Sequence, residues 1–393
     1  MALNNIIFQK QNGGLARPLP GEDHISALLV MPATLSTYPQ GMSDSSWVMP
    51  LGSVEDLEAL GFNPDGTDNE KYCHYHVSEF FRMNPGATLW FGYKQYNAAG
   101  GFSEVVDLCR AAGGRVRQVA VACPDLDFAD AQVGLLQSVA STLEQQDMPA
   151  VILYTANVTS IASLTTDLRT LNAPKVSVVI GQDGSAVGGE LFSQQGRSIS
   201  CIGNALGCLS RAAVHESIAW VSKFNVANGE LDVPAFVDGS LYSNTATGVI
   251  DTLNSNGYIF LRKYNGTGGT YYNDSHVCAP IANNDFAYIE ANRTMDKAIR
   301  GVRAYLLPQL NGPVKVDATT GKLDSAFIAA LETLGGRALE QMERDGELSG
   351  YKVVINPDQN VLSTGQIVIS ITNVPRGVMR QIIVKIGFAT KIS

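Results

Sequence analysis

The sequence predicts an α/β protein. It has a mainly parallel sheet with crossover helices in its N-terminal part, and an α+β C-terminal part with long helices and a terminal β-sheet. Extended arms lie at both ends. Three observations carry this reading. Between residues 25 and 180, short runs rich in Val, Leu and Ile alternate with longer helical stretches, as parallel strands joined by crossover helices do. After residue 285 the order changes to two long helical stretches and then strands. Both chain ends lack acidic residues and set apolar runs beside Gly and Pro.

The elements follow in order. Residues 1–22 form an arm, with Ile6, Ile7 and Phe8 as its apolar run and Gly13, Gly14, Pro18, Pro20 and Gly21 as breakers. Ile25–Met31 reads as a buried strand, and Ser53 with Asp56 as the capping signal of a helix to Leu60. A helix over Tyr75–Met83 precedes a strand at Ala87–Tyr93. Helices at Phe102–Ala112, Phe128–Gln146 and Val158–Leu171 alternate with strands at Val116–Ala122, Ala150–Tyr154 and Lys175–Ile180. Gln182–Gly196 reads as a loop or seam, Ile199–Val221 as one long helix, and residues 182–244 as an insertion or outer region. A helix at Thr247–Asn254 leads to a hairpin of Gly257–Tyr264 and a return strand opened by Tyr271-Tyr272. Helices at Asp285–Pro308 and Leu323–Glu343 precede strands at Tyr351–Ile355, Gln366–Thr372 and Val378–Phe388. The implied partition is an arm at 1–22, an α/β domain at 23–196, a C-terminal domain at 197–375 and an arm strand at 376–393.

Composition narrows the function. The 393 residues carry a net charge of −9, which excludes a general nucleic-acid binder, since that needs a basic face to neutralise phosphates. A hydrophobic content of 45% excludes disorder. Charged residues make up only 17%, below the roughly 25% of an ordinary soluble domain. Scarce charge means either an unusually apolar surface or one largely hidden against other chains. The N-terminal residues show no basic stretch followed by an apolar one, and no run of about 20 apolar residues occurs, so synthesis as a soluble cytosolic product without membrane insertion is expected. Cys73, Cys109, Cys123, Cys201, Cys208 and Cys278 are scattered and read as packed free thiols.

No constellation for catalysis, cofactor or metal binding emerges. Cys73-His74-Tyr75-His76 concentrates metal-competent side chains, but at a helix start they fan out instead of converging. Gly181–Gly189 follows a strand but has neither the GxGxxG spacing nor a lysine for phosphates. Asp125, Asp127 and Asp130 follow a strand end, where Asp127 suits a helix N-cap better than a cation site. His215 beside Glu216 has no nucleophile near it in sequence, and no GxSxG elbow occurs.

The termini say more. Residues 1–20 carry Lys10 and Arg17, and residues 374–393 carry Arg376, Arg380, Lys385 and Lys391, with no acid in either. Removing these six from the 28 basic residues leaves 22 against 37 acids, so the body stands near −15. Basic tails on an acidic body are attracted to other copies. From Val378 to Phe388, Val378, Arg380, Ile382, Val384, Ile386 and Phe388 alternate with Met379, Gln381, Ile383, Lys385 and Gly387, a strand pattern with one nearly apolar face. Such a strand closes its own sheet or adds to the edge of another. Arg293, Lys297 and Arg300 recur at helical spacing as a basic stripe.

The stretch Gly257-Tyr-Ile-Phe-Leu-Arg-Lys-Tyr264, the glycine turn, Gly269-Thr-Tyr-Tyr-Asn-Asp274 and then Phe286–Thr294 opening a long helix resembles the tail sheath proteins of contractile phages and contractile injection systems. The resemblance covers residues 245–393 by motif and the N-terminal part by layout. Tyr271-Tyr272 stand where that family has an Arg-Thr pair, so that local interaction is not carried over. The resemblance implies a non-enzymatic subunit that stacks in hexameric rings around an inner tube and contracts to drive the tube through an envelope. It implies that Ile6, Ile7 and Phe8 and the Val378–Phe388 strand add to neighbouring subunits. Gly13, Gly14, Pro18 and Gly377 would act as hinges, and the strand carrying Ile367, Ile369 and Ile371 would receive the arms. Arg293, Lys297 and Arg300 become candidate tube or inter-subunit contacts. The implied partners are the chain itself, the inner tube, and baseplate and terminator proteins, in a phage tail or extracellular particle. The alternatives are a non-contractile structural protein of a phage or secretion apparatus, and a soluble α/β enzyme.

Overall fold

The computed structural model describes residues 21–35 and 37–388. They divide into two compact units, one made of the residues up to Ala213 with Ile218–Asp296, the other of Val214–Ser217 with the residues from Lys297 on. The division falls inside a helix, between Asp296 and Lys297, and not at residue 196 where composition places a seam.

In the first unit, β1 (Ser26–Val30) sits within a six-stranded sheet with β2 (Val48–Leu51), β3 (Leu89–Tyr93), β4 (Gln118–Asp127), β5 (Val151–Asn157) and β6 (Val176–Val178). The order is β2-β3-β1-β4-β5-β6, with all pairs parallel except β2 with β3. Alternate side chains of each strand feed opposite layers, as the two-residue period requires. Leu28 and Val30 pack with α1 (Val54–Ala59) and α2 (Asp68–Met83), whereas Ala27 and Leu29 pack with α3 (Glu104–Ala111) and α4 (Asp130–Gln145). β7 (Gly181–Asp183), α5 (Val187–Gln195) and α6 (Ile202–Arg211) follow. β7 pairs with β8 (Pro234–Phe236), and after α7 (Thr247–Ser255) comes the hairpin of β9 (Leu261–Tyr264) and β10 (Thr267–Tyr272).

Two glycines let α6 lie directly on α2. A Cβ on Gly203 would stand 2.2 Å from the His76 carbonyl oxygen, and one on Gly207 2.7 Å from that of Phe80. Four residues apart, both face the same way, so the backbones touch where larger residues would separate them.

The second unit holds the later part of α8 (Ile289–Leu306), then α9 (Ser325–Arg344), β11 (Leu348–Ile355), α10 (Val361–Thr364) and β12 (Ile369–Pro375). α8 approaches α9 at Gly301, where a Cβ would lie 2.5 Å from that of Ala338. Leu339 and Met342 of α9 pack with Ala298, Leu348, Tyr351, Val353 and Ile371.

Several expected elements differ. α2 begins seven residues before Tyr75, at Asp68, because Thr67 and Glu70 form a capping box whose side chains each accept from the other's backbone N–H, at 3.4 and 3.3 Å. Residues 158–171 form two 3-10 turns at Ile161–Ser163 and Leu168–Leu171 in place of a helix, with Ser160 and Asp167 accepting from backbone N–H groups two residues on. Gln182–Gly196 is not a loop, since it contains the end of β7 and all of α5. The long helix at Ile199–Val221 stops at Arg211, and β2 has no counterpart in the sequence reading. Val378–Phe388 forms no strand among the described residues.

Candidate functional site

β11 and β12 make an antiparallel pair with Ile355 opposite Ile369, Val353 opposite Ile371 and Lys352 opposite Thr372. The pair forms a two-stranded sheet, so each strand keeps one edge without a ladder partner among the described residues. One face rests on α9. Gly335 and Gly336 let the strand approach, since Cβ atoms there would stand 3.5 Å from Val353 and 3.2 Å from Tyr351. The opposite face carries Lys352, Val354, Ser370, Thr372 and Val374, all exposed. The β11 edge is blocked at its end, where the Ile355 N–H donates to Glu332 Oε1 at 2.8 Å.

Of the three expected receiving residues, Ile369 and Ile371 are in β12 and turn toward their own subunit. Ile371 packs with Leu339 and Met342, and Ile369 with Leu331 and Ile355. Ile367 lies before β12 and packs in the same small cluster as Ile369. What β12 offers a partner is therefore its backbone edge.

Beyond Pro375 the chain continues without helix or strand to Phe388. Met379, Ile382, Ile383, Val384 and Ile386 are each at least 70% exposed, and Ile386 reaches 94%. Among the described residues the alternating pattern read as a strand has no ladder partner, and an unpaired strand cannot satisfy its own backbone groups. Gly377 stands in open space, with no heavy atom within 4 Å of where its Cβ would be. Ile6, Ile7, Phe8, Gly13, Gly14 and Pro18 lie outside the described residues.

The basic stripe on α8 is not a single surface. Arg293 is buried and donates to the carbonyls of Ala212 at 3.2 Å, Ala213 at 3.3 Å and Asp23 at 3.3 Å. It thus serves the chain just past α6, giving its guanidinium to carbonyls within its own subunit. Lys297 forms a 2.6 Å ion pair with the largely buried Glu347. Arg300 is half-buried.

The remaining candidates are occupied locally. Cys73, His74 and His76 lie inside α2, where His74 meets Glu58 at 3.0 Å and His76 is fully buried. The six cysteines are buried free thiols. No group of three or more His, Cys, Asp or Glu among the described residues is placed to hold a metal ion. Asp125 pairs with Arg197 at 2.6 Å, and Asp130 accepts from Thr166 at 2.7 Å. Asp127 accepts from the Asn157 amide at 2.8 Å and does not cap α4, whose N-cap is Ala129. The glycine-rich turn before α5 has its donors taken, since the Asp183 carboxylate accepts from the N–H groups of Ser185 at 3.2 Å and Ala186 at 3.1 Å. That carboxylate sits where a phosphate would need to bind. No described helix is long and apolar enough to cross a membrane.

The model of the DUF2586 N-terminal domain matches residues 3–276, and that of the DUF2586 C-terminal domain matches residues 285–393. No curated protein matches the chain. The fold is shared with a chain of the anti-feeding prophage helical sheath in its contracted state, at 15% identity and a TM-score of 0.64, over 100% of both chains. A chain of the anti-feeding prophage baseplate matches at 14% identity and a TM-score of 0.64, over 99% of this chain and 100% of that one. A sheath tail protein of Listeria innocua matches at 10% identity and a TM-score of 0.51, over 90% of this chain and 96% of that one. At these identities the likeness establishes a common fold, and it spans both units.

Proposed function

The chain belongs to the DUF2586 family, and from that membership and its sheath-protein fold we propose that it is a structural subunit of a contractile tail sheath. Copies stack as hexameric rings around an inner tube, bounded by baseplate and terminator proteins. The cytoplasmic product becomes part of a phage tail or an extracellular contractile particle. Contraction draws its free energy from interface gained between subunits, through a packed lattice with two stable arrangements, and needs no nucleotide.

The exposed apolar segment after Pro375 carries this reading. Burying one Ile, Val or Phe side chain gains roughly 1.5–3 kcal/mol, and backbone pairing orients the strand, so donation of this arm links subunits. In the proposed lattice Val378, Arg380, Ile382, Val384, Ile386 and Phe388 extend a neighbour's sheet along the β12 edge, next to Ile369 and Ile371. Ile6, Ile7 and Phe8 supply a second strand. Gly13, Gly14, Pro18 and Gly377 are the joints that let each arm stay attached while the bodies move. Of the α8 stripe, Lys297 and Arg300 are kept as tube or inter-subunit contacts, since both are half-exposed whereas Arg293 is buried.

Negative-stain microscopy of the purified full chain tests the assignment. Tubes with a wide lumen and helical striations support it. Compact single particles that form no tubes, with or without the cognate tube protein, overturn it. Deleting residues 376–393 separates the arm from the fold. The expected product is a folded monomer that no longer polymerises, whereas loss of folding shows that the segment closes its own subunit.

A further inference from the structure

Residues Asn228–Asp232 cross the start of α5 under backbone strain. Gly229 has φ +82° and Leu231 φ +56°, and the Leu231 side chain is fully buried. A left-handed leucine costs about 1–2 kcal/mol and persists only where its surroundings hold it. Between these two, Glu230 turns inward, and its Oε2 is sealed from solvent without a hydrogen-bond partner. The segment is stitched to β7, since the Gly184 N–H donates to the Val233 carbonyl at 2.8 Å.

The groups facing Glu230 come from three elements. From β7 comes Asp183, fully buried, with both carboxylate oxygens accepting backbone N–H groups. From α5 comes the Val187 N–H. From α2 come the buried Tyr75 hydroxyl, which has no partner, and Glu79, held by Arg82 at 2.6 Å and by the Asn204 amide at 2.9 Å. Arg82 also donates to the Val226 carbonyl at 3.0 Å, anchoring the chain just before the strained turn. A Cβ on Gly188 would meet the Tyr75 hydroxyl at 2.6 Å and Asp183 Cβ at 2.9 Å, so the first turn of α5 closes tightly over this acid pair. Desolvation, repulsion from Asp183 and the hydrogen bond that the protonated form gives Asp183 push the Glu230 carboxyl up to about 7.

We propose that Glu230 and Asp183 form a proton-operated latch, in which protonated Glu230 donates to the Asp183 carboxylate and holds the strained Asn228–Asp232 segment against β7 and α5. When the proton leaves to water, two carboxylates face each other, Asp183 fully buried and Glu230 half-buried, and the stored strain is released by opening of the segment. The latch belongs to the single subunit and stands independently of the sheath assignment.

Hydrogen exchange of the full chain between about pH 5.5 and 8.5, corrected for the chemical exchange rate, tests it. The Gly184 amide, bonded to the Val233 carbonyl, and the Asn228 amide, bonded to the Glu230 carbonyl, should lose protection as pH rises through about 7, by up to about tenfold per pH unit. Glu230→Gln keeps a donor but cannot ionise, and should hold the low-pH protection throughout. Asp183→Asn removes the repelling charge and should move the transition down by more than about one pH unit. A flat wild-type profile overturns the latch, as does an unchanged transition in either variant.

Discussion

The Lys175 ammonium lies 2.5 Å from Asp296 Oδ1 and 3.0 Å from Glu144 Oε1, with Lys175 and Asp296 both more than nine-tenths buried. One desolvated cation thus ties the start of β6 to α4 and to the first half of α8. Removing Asp296 leaves this buried cation only the half-exposed Glu144, and breaking such a buried pair costs about 3–5 kcal/mol. Asp296→Ala should therefore lower unfolding stability by that amount in urea. The double variant Lys175→Met, Asp296→Leu should recover most of the loss, and an additive double variant would refute the coupling.

Gly203→Ala should destabilise the fold. In an exposed helix, Gly to Ala gains about 1 kcal/mol, but here the new methyl would stand 2.2 Å from the His76 carbonyl oxygen. Helix separation should reverse the sign, to a loss of about 2–3 kcal/mol by thermal unfolding. A stabilised variant would mean that the α2–α6 contact is looser than described.

His76 sets an acid limb on stability. Burial drives its imidazole down to about 3 from an ordinary 6.5, so the native state holds it neutral. Its contribution is complete above about pH 6.5 and is lost as pH falls toward 3, because the unfolded chain binds the proton first. The slope should approach about 1.4 kcal/mol per pH unit in that window. His76→Phe, which keeps the edge contact with Tyr72, should flatten the limb in urea titrations at several pH values.

The arm can be switched off without touching the body. Val384 and Ile386 are both more than 70% exposed, so Val384→Asp with Ile386→Asp should leave the melting temperature of the monomer within about 1 °C. The same pair should abolish polymerisation, since a charge on the buried face of a donated strand is desolvated without a partner. Tubes formed by this variant would rule out strand donation by residues 378–388.

Much of the fold is legible from local pattern. The β1, β3, β4, β5 and β6 runs are continuous apolar stretches because both of their faces are covered, and α1 starts where Ser53 and Asp56 announce it, with the Ser53 N–H donating to Asp56 at 3.1 Å. The start of α2 is announced by the Thr67 and Glu70 spacing, a signal that the expected start at Tyr75 passes over. α5 is not, because Gly188 and Gly189 argue against a helix, and only the contact with Tyr75 and Asp183 explains why glycine is required. Arg293 misleads for a similar reason. Its spacing puts it in line with Lys297 and Arg300, but the carbonyls it serves belong to residues far away in sequence.

The sequence by itself determined the alternation of strands and helices, the unlike charge of arms and body, and the apolar alternation of residues 378–388. These are properties of neighbours along the chain, governed by backbone period and composition. Tertiary structure alone decided that this last segment joins no strand ladder among the described residues, that Ile369 and Ile371 face α9, and that Glu230 meets Asp183. Burial and pairing depend on which distant groups arrive at the same place, and no local pattern encodes that.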